Sequence, residues 1–177
     1  MIDAQDISLI EKLTAFHNVR TFTCGEHSLD LYLRKYALAN QRADSSQTYV
    51  VHRSLDVVGY YTLSFGSVAL EESPESMATS MPPRYRVPVM LFARFAVAES
   101  LQGRGLGQAL LKDAFLRTTA AAEIGGLAAI LVDAINDEMV EFYIRRGFQK
   151  CPGYERKLMI AMKDIRVHLS EAFGGVR

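Results

Sequence analysis

A glycine-rich turn between an apolar segment and a helical pattern constrains the fold of this chain more than any other feature. The turn, Gln102–Gly107 (QGRGLG), follows the apolar segment 89–97 and precedes a helix-forming stretch that runs to about Ala122. Glycines let a backbone approach a bound group closely, and the unpaired N–H groups and the dipole at a helix N-terminus attract anions. The sequence therefore predicts a strand, a turn and a helix that together bind a phosphate or diphosphate, to which Arg104 adds a positive charge.

Two better-known phosphate loops do not fit this turn. Its spacing is Q-x-x-G-x-G, whereas the dinucleotide-binding fingerprint has G-x-G-x-x-G with an acidic residue further on, and a Walker loop continues into Gly-Lys-Ser/Thr. A strand-to-helix turn with a purely structural role remains an alternative at this point.

The hydrophobic pattern predicts one α/β domain over residues 1–177. The predicted strands are 48–52, 57–68, 89–97, 127–135 and 157–162. The predicted helices of the second half are one that follows the glycine turn and runs to about residue 122, and one at 137–146. Segment 89–97 is apolar on both alternating faces except at Arg94, which indicates a strand in the middle of a sheet.

The sequence pattern predicts less regular structure in the first half of the chain and in its last residues. Ser28 is expected to cap a helix. The buried stripe of that helix is formed by Leu29, Tyr32, Leu33 and Tyr36. Residues 40–47 predict a loop, residues 71–80 an exposed acidic loop, and residues 173–175 a fraying end.

The composition predicts a folded core and gives no sign of a membrane span or a metal site. Of 177 residues, 49% are hydrophobic, which is enough for a core. No apolar run approaches the ~20 residues of a membrane span, and the first residues lack the pattern of a signal peptide. We therefore expect a cytoplasmic protein with no membrane partner. The four histidines show no metal-ligand spacing, so no metal site is expected.

A second motif follows the glycine turn. Asn136 precedes Tyr143 by seven residues, and Gly147-Phe148 comes next. The combination of Q-x-x-G-x-G with N-x6-Y-x3-G-F, over about residues 89–148, resembles the GCN5-related N-acetyltransferase (GNAT) family. The resemblance implies a single domain with a mixed central sheet flanked by helices, in which splayed strands form the cleft for acetyl-CoA as co-substrate.

The resemblance also implies roles for individual residues. It places Tyr143 beside the thioester sulfur as general acid, since a phenol with a pKa of ~10 can protonate a leaving thiolate. The alternative is that Tyr143 packs its ring on the sheet and donates to a carbonyl. Asn136 is expected to contact the amide arm of the cofactor, to cap the helix that follows, or both. The acetyl-CoA contacts implied are Phe95, Ala96, Val97, Gln102, Gly103, Arg104, Gly105, Leu106, Gly107, Gln108 and Asn136.

Further segments are similar to one branch of this family, the acetyltransferase toxins of bacterial toxin–antitoxin pairs. They are Phe22–Gly25, Leu29–Ala37, Val58–Leu63, Arg94–Val97 and Ser100–Gly103. This similarity implies an enzyme that acetylates the α-amino group of aminoacyl-tRNA and so blocks translation. It also implies a ribbon-helix-helix antitoxin through which the toxin reaches operator DNA, and a homodimer.

The charges are segregated along the chain although the net charge is zero. Segments 81–107 and 141–157 each carry +3, and segment 68–80 carries −3, a distribution that suits nucleic-acid binding. The expected tRNA contacts are Arg34, Lys35, Arg84, Arg86 and Arg94. The alternatives are solvated surface charges and, for Arg94, a buried pair with a carboxylate.

The chemistry of transfer favours an α-amine as substrate. An α-amine titrates near ~7.7–8, and an adjacent ester lowers its pKa further, whereas a lysine amine titrates near ~10.4. An α-amine therefore needs no dedicated base. Two other functions remain open, namely acetylation of a protein or small-molecule amine by the same fold, and a binding module without catalysis. A route through an acyl-cysteine at Cys24 or Cys151 is disfavoured.

Overall fold

The computed structural model describes residues 6–78 and 81–174. The strands are β1 (Glu11–Lys12), β2 (Gln47–Arg53), β3 (Asp56–Ala69), β4 (Arg86–Val97), β5 (Ala129–Asp133), β6 (Gln149–Lys150) and β7 (Lys157–Ala161). The helices are α1 (His27–Lys35), α2 (Ala37–Arg42), α3 (Glu75–Ala78), α4 (Leu106–Ala122), α5 (Asp137–Ile144) and α6 (Met162–Gly174). The strands form a seven-stranded mixed sheet in the order β1-β2-β3-β4-β5-β7-β6, which confirms the predicted α/β class.

The chain divides into two compact units. Unit 1 comprises Met1–Ser64 and Ala93–Ala114, and unit 2 comprises Phe65–Phe92 and Phe115–Arg177. None of the helices in the described residues combines the length and the apolarity that a membrane span requires.

Unit 1 contains the antiparallel ladder of β1, β2 and the first part of β3. The β2–β3 register shifts between Val51 and His52, so that a bulge lies beside Gly59, as the glycine predicts. The ring of Phe22 meets the ring of Tyr60 edge-on at 5.6 Å in the core of this unit. Both side chains are fully buried.

Gly59 allows α4 to pack closely on the sheet of unit 1. The α4 residues Leu106, Leu110 and Ala114 are buried along one side of the helix, as their spacing predicts. A Cβ added to Gly59 would lie 3.0 Å from Leu110 Cδ1 and 3.1 Å from Val51 Cγ1. A larger residue at this position would therefore push α4 away from β3.

Unit 2 contains a parallel strand pair. Val89–Leu91 of β4 pair with Ala129–Leu131 of β5, while β4 runs on to Val97 and β5 to Asp133. β5, β7 and β6 continue the ladder in antiparallel fashion.

Three predictions for the first half of the chain were wrong, namely the cap at Ser28, the burial of Tyr36 and the loop at 40–47. Helix α1 begins at His27 with Glu26 at its N-cap and no side-chain cap, and Ser28 Oγ donates to Glu26 Oε1 instead. Tyr36 is 51% exposed because α1 ends before it. A second helix, α2, then occupies the start of the predicted loop 40–47 and buries Ala37 completely.

Other predicted irregular segments are also partly helical. The predicted acidic loop 71–80 contains the end of a 3₁₀ turn (Leu70–Glu72) and α3, whose Met77 is buried; residues 79 and 80 lie outside the described residues. The predicted fraying end belongs to α6, in which Ile165 and Leu169 are buried, while Gly175 lies outside the described residues. The strand β6 was not predicted.

A carboxylate joins β1 to two histidines of unit 1. Glu11 Oε1 accepts hydrogen bonds from His17 Nε2 at 3.0 Å and from His52 Nε2 at 2.7 Å. Both Nδ1 atoms accept backbone N–H groups, from Thr14 at 2.9 Å and from Leu55 at 3.2 Å, so each ring carries its proton on Nε2. The bonds from His52 and then His17 lower the pKa of Glu11 below 4.5.

Replacing Gly59 by alanine should destabilise the protein by about 1–3 kcal/mol, because the new Cβ has no room beside Leu110 and Val51. Gly125→Ala is the matched control, since nothing lies within 4 Å of a Cβ at that position. Urea unfolding of both variants measures the difference. Equal stabilities would contradict the close packing of α4.

Replacing Glu11 by glutamine should reduce the sensitivity of the fold to acid. Because its folded-state pKa is lowered, the Glu11 carboxylate stabilises the folded chain above pH 4.5, and this stabilisation is lost as the pH falls through the lowered value. The free energy of unfolding should therefore fall more steeply below pH 4.5 for the wild type than for Glu11→Gln in urea titrations. Parallel curves would refute the role of this carboxylate.

Candidate active site

The glycine turn of unit 1 has the backbone geometry that only glycine adopts readily. Gly103 has a φ of +73° and Gly105 a φ of +88°, and no described heavy atom lies within 4 Å of a Cβ built on either residue. Helix α4 starts at Leu106, inside the glycine turn that was predicted to precede it, and the N–H groups of its first turn lack intrahelical partners. The turn thus presents an open, electropositive backbone surface.

The side chain of Gln102 holds this turn in place. Its Nε2 donates to the carbonyl oxygens of Cys24 and Val97, both at 2.9 Å. The amide therefore ties the start of the turn to the end of β4. This positioning role was not predicted, and a direct contact between Gln102 and a cofactor stays a prediction.

The remaining residues of the turn differ in exposure. Arg104 and Gln108 are exposed, and Gly107 is half-buried. Leu106 is buried in unit 1, so its backbone N–H, and not its side chain, is the group that a ligand at the turn would meet.

The end of β4 was predicted to contact the cofactor through its backbone. Phe95 and Val97 are half-buried and Ala96 is buried. The carbonyl of Val97 already accepts from Gln102, and the N–H of Ala98 donates to Val58 O at 2.9 Å. These bonds fix the direction of the chain as it enters the turn.

Tyr143 lies on the buried side of α5 in unit 2. Its side chain is only 4% exposed and is surrounded by the aromatic rings of Phe92, Phe142 and Phe148, at 6.4, 5.3 and 5.1 Å. Burial raises the pKa of Tyr143, with Arg146 acting weakly in the opposite direction, so the hydroxyl keeps its proton at neutral pH. Its hydroxyl has no hydrogen-bond partner among residues 6–78 and 81–174, so the alternative of donation to a carbonyl is not seen.

Asn136 caps the helix that carries Tyr143. Its Oδ1 accepts the N–H of Met139 at 2.8 Å, and its own backbone is extended. The capping interpretation is confirmed, and a contact with the cofactor stays a prediction. The helix ends before Gly147, which has a φ of +91°, as predicted.

The predicted tRNA contacts of unit 1 are exposed. Arg94 lies with its guanidinium 4.9 Å from the centre of the Tyr32 ring. Ala93 is exposed, so the prediction of a strand buried on both faces was wrong at this residue, and Arg94, the exception in the predicted pattern, is exposed as well. No described carboxylate pairs with Arg94, which rules out the alternative of a buried ion pair. Arg34 and Lys35 end α1, and Arg34 Nη2 donates to the carbonyl of Phe22.

The predicted tRNA contacts of unit 2 are exposed as well. Arg86 donates from Nε to Ser67 Oγ at 2.9 Å and from Nη2 to Ser67 O at 3.1 Å. Arg84 is exposed on a backbone with a φ of +65°. Arg84 has no hydrogen-bond or ion-pair partner among the residues that the structure describes, whereas Arg86 is partly engaged within the unit.

Neither cysteine has the properties of a nucleophile. Burial raises the pKa of Cys24 to about 12, with the hydrogen bond to Asp30 adding to the effect, and burial raises the pKa of Cys151 to about 11. Both thiols are therefore protonated at neutral pH, which argues against a route through an acyl-cysteine.

Glu11, His17 and His52 could hold a metal ion by proximity alone, since their ligand atoms lie within 4.8 Å of one another. The sequence offered no signal for this cluster, because its members come from separate elements. A metal-bound histidine donates its other ring N–H, whereas here both Nδ1 atoms face backbone N–H donors. The cluster is better described as a hydrogen-bonded clamp.

Comparison with known proteins agrees with this geometry. A family model described as an acetyltransferase (GNAT) domain matches residues 44–150. The tRNA-acetylating toxin of Mycobacterium tuberculosis (strain ATCC 25618 / H37Rv) is 45% identical over 154 residues, which cover 87% of this chain and 92% of the toxin.

Two solved structures share the fold. AtaT complexed with acetyl-methionyl-tRNAfMet has a TM-score of 0.85 and 29% identity, covering 93% of this chain and 99% of that one. A mutant AtaT toxin bound to the C-terminus of the antitoxin AtaR and acetyl-CoA has a TM-score of 0.79 and 27% identity over the same shares. Because the domain model covers most of the chain and the mycobacterial relative aligns along nearly all of it, this protein belongs to the GNAT family of acetyltransferases.

Proposed function

We propose that this protein is a toxin that transfers the acetyl group of acetyl-CoA to the α-amino group of aminoacyl-tRNA, blocks translation, and is neutralised by a cognate antitoxin. The observation that carries the proposal is the 45% identity to a tRNA-acetylating toxin along 87% of the chain. We assign residues 1–177 to a single acetyltransferase domain with its cofactor motifs at about 89–148. The similarity to AtaT in complex with acetyl-methionyl-tRNAfMet supports the same substrate class.

The glycine turn is the proposed site for the diphosphate of acetyl-CoA. Free N–H groups at the start of α4, the open space above Gly103 and Gly105, and the exposed Arg104 suit a doubly charged anion. Leu106 and Gly107 contribute backbone N–H groups, and Gln108 lies one residue further along the helix. The backbone of Phe95, Ala96 and Val97 and the amide of Asn136 are proposed contacts of the pantetheine arm.

Tyr143 is the proposed general acid. Bound acetyl-CoA supplies an activated acetyl group, and the coenzyme A thiolate that leaves must take up a proton. The buried Tyr143 hydroxyl is protonated at neutral pH and has no described hydrogen-bond partner, so it can donate that proton. The neutral fraction of an α-amine attacks without a dedicated base, the C–S bond breaks as the C–N bond forms, and the proton lost by the amine nitrogen passes through solvent to replace the one that Tyr143 gives to the thiolate.

The exposed cations are the proposed contacts for tRNA. Arg84 and Arg94 have no described carboxylate partner, Arg34 and Lys35 end α1, and Arg86 is partly engaged with Ser67. We further propose a ribbon-helix-helix antitoxin, contact with operator DNA only through that antitoxin, and a homodimer. Because charged tRNA is the substrate, we place the protein in the cytoplasm.

Label transfer from acetyl-CoA to a pool of charged tRNA tests the function directly. The wild type should label aminoacyl-tRNA but not deacylated tRNA, and Tyr143→Phe should lower the rate about 10²-fold or more, with normal folding and acetyl-CoA binding. Labelling of a protein or free amine in place of tRNA would support the alternative acetyltransferase. Wild-type rates from Tyr143→Phe would remove Tyr143 from the mechanism.

Replacing Gly105 by alanine should weaken acetyl-CoA binding about tenfold or more, because the Cβ enters the space proposed for the diphosphate and the positive φ is strained. Gly153→Ala is the matched control, since Gly153 has a φ of +79° and equally open surroundings. Both variants should lose a similar stability of about 1–2 kcal/mol. Isothermal titration with acetyl-CoA separates them, and equal affinities would show that the turn does not hold the cofactor.

A further inference from the structure

The side of α5 that faces away from Val140 and Tyr143 forms an open groove. The groove measures about 330 Å³ and is lined by Glu138, Glu141, Phe142, Arg145 and Arg146, which we call the outer α5 face. These residues follow one another at i, i+3, i+4, i+7 and i+8 and therefore share one side of the helix and of the turn after it. All of them belong to unit 2.

The outer α5 face carries opposite charges at its two ends. Glu138 lies in the first turn of the helix and Glu141 near its middle, and Arg145 and Arg146 follow its last residue. Within the described part of the chain, none of these four side chains forms an ion pair, although a Glu–Arg spacing of four residues permits one. The four charges are therefore available to a partner.

Arg146 is held in a position that leaves part of its guanidinium unsatisfied. Its guanidinium carbon lies 3.6 Å from the centre of the Phe142 ring, and Nη1 donates to Phe142 O at 2.9 Å. Nε is buried and has no hydrogen-bond partner among the described residues. Burial and then the neighbouring Arg145 lower the pKa of Arg146. A carboxylate from a binding partner could accept a hydrogen bond from this Nε and so offset the free-energy cost of burying it without a partner.

We propose that the outer α5 face is where two copies of this chain pair, with their α5 helices antiparallel about a two-fold axis near Phe142. Glu138 and Arg146 are eight residues apart, about 12 Å along a helix, with Phe142 midway between them. Reversal of a second helix about a point between residues 142 and 143 brings Glu138 to within one residue, about 1.5 Å along the axis, of the position opposite Arg146 of the second copy, and brings Glu141 equally close to the position opposite Arg145 of the second copy. The two-fold axis repeats each pair, and the two Phe142 rings meet at the centre.

A second copy fits this face better than a nucleic acid does. Glu138 and Glu141 lie in the same groove as the two arginines and would repel a phosphate backbone. A second copy presents the matching charge pattern by symmetry, with acids where this face has bases. The proposal rests on the homodimer proposed above and locates its interface. Acetyl transfer remains a separate readout.

Charge reversal on the full-length protein tests the pairing. By sedimentation velocity over a range of concentrations, Glu141→Arg and Arg145→Glu should each weaken self-association about tenfold or more, because symmetry places each new repulsion in the interface twice. The double variant Glu141→Arg/Arg145→Glu should restore it. An equimolar mixture of the two single variants should also associate. The Glu141→Arg variant has a base at both positions and the Arg145→Glu variant an acid at both, so every pair across the interface is attractive. Glu155→Arg, an exposed charge reversal elsewhere in unit 2, is the matched control.

Several outcomes would overturn the proposal. They are a wild type that stays monomeric, single variants that associate normally, and a mixture that fails to associate although both variants show native circular dichroism. If the single variants lose affinity only for tRNA or only for the antitoxin, this face serves that partner instead. Absence of label transfer by a dimeric wild type would refute the proposed function and leave this interface standing.

Discussion

The position of the first turn of α4 is the constraint on which the proposed cofactor site depends. Backbone N–H groups bind an anion well only when the helix end is held still, because a mobile dipole loses its electrostatic advantage. Three contacts within unit 1 hold it. Gly59 admits Leu110 at close range, Gln102 joins the turn to β4 and to residue 24, and Tyr61 donates a hydrogen bond to Asp113 one turn further along α4. The turn is therefore rigid by packing, although its glycines are intrinsically free.

A comparable set of contacts in unit 2 holds the proposed acid. Asn136 fixes the start of α5 and Gly147 its end. A Cβ on Gly147 would lie 2.7 Å from Nε2 of His168, so α6 packs directly against the turn that ends α5. Helix α6, whose last residues the sequence predicted to fray, thus supports the helix that carries Tyr143. Burial by Phe92 and Phe148 keeps that hydroxyl protonated, as a general acid requires.

The arginines differ in whether their guanidinium groups already have hydrogen-bond partners within the chain, and this decides which of them can bind a ligand. Arg34 donates a hydrogen bond to the carbonyl of Phe22, and Arg86 donates to Ser67. Arg94 instead lies over the ring of Tyr32, and no described carboxylate pairs with it. A net charge of zero is thus compatible with a local basic surface, because the acids that balance it lie elsewhere in the chain. The charges of the outer α5 face differ in kind, since acids and bases share one groove there.

The sequence by itself determined the local features. The glycine turn, the end of α4 at Ala122, the cap at Asn136, the stop at Gly147 and the principal strands could all be predicted, because spacing, propensity and capping act over a few neighbouring residues. The tertiary structure alone decided which side chains meet. Four features depend on contacts between segments far apart in sequence. They are the Glu11 clamp, the two hydrogen bonds donated by Gln102, the exposure of Arg94 and the helix at the end of the described residues. For such contacts the burial of apolar surface, which no local pattern records, outweighs local preference.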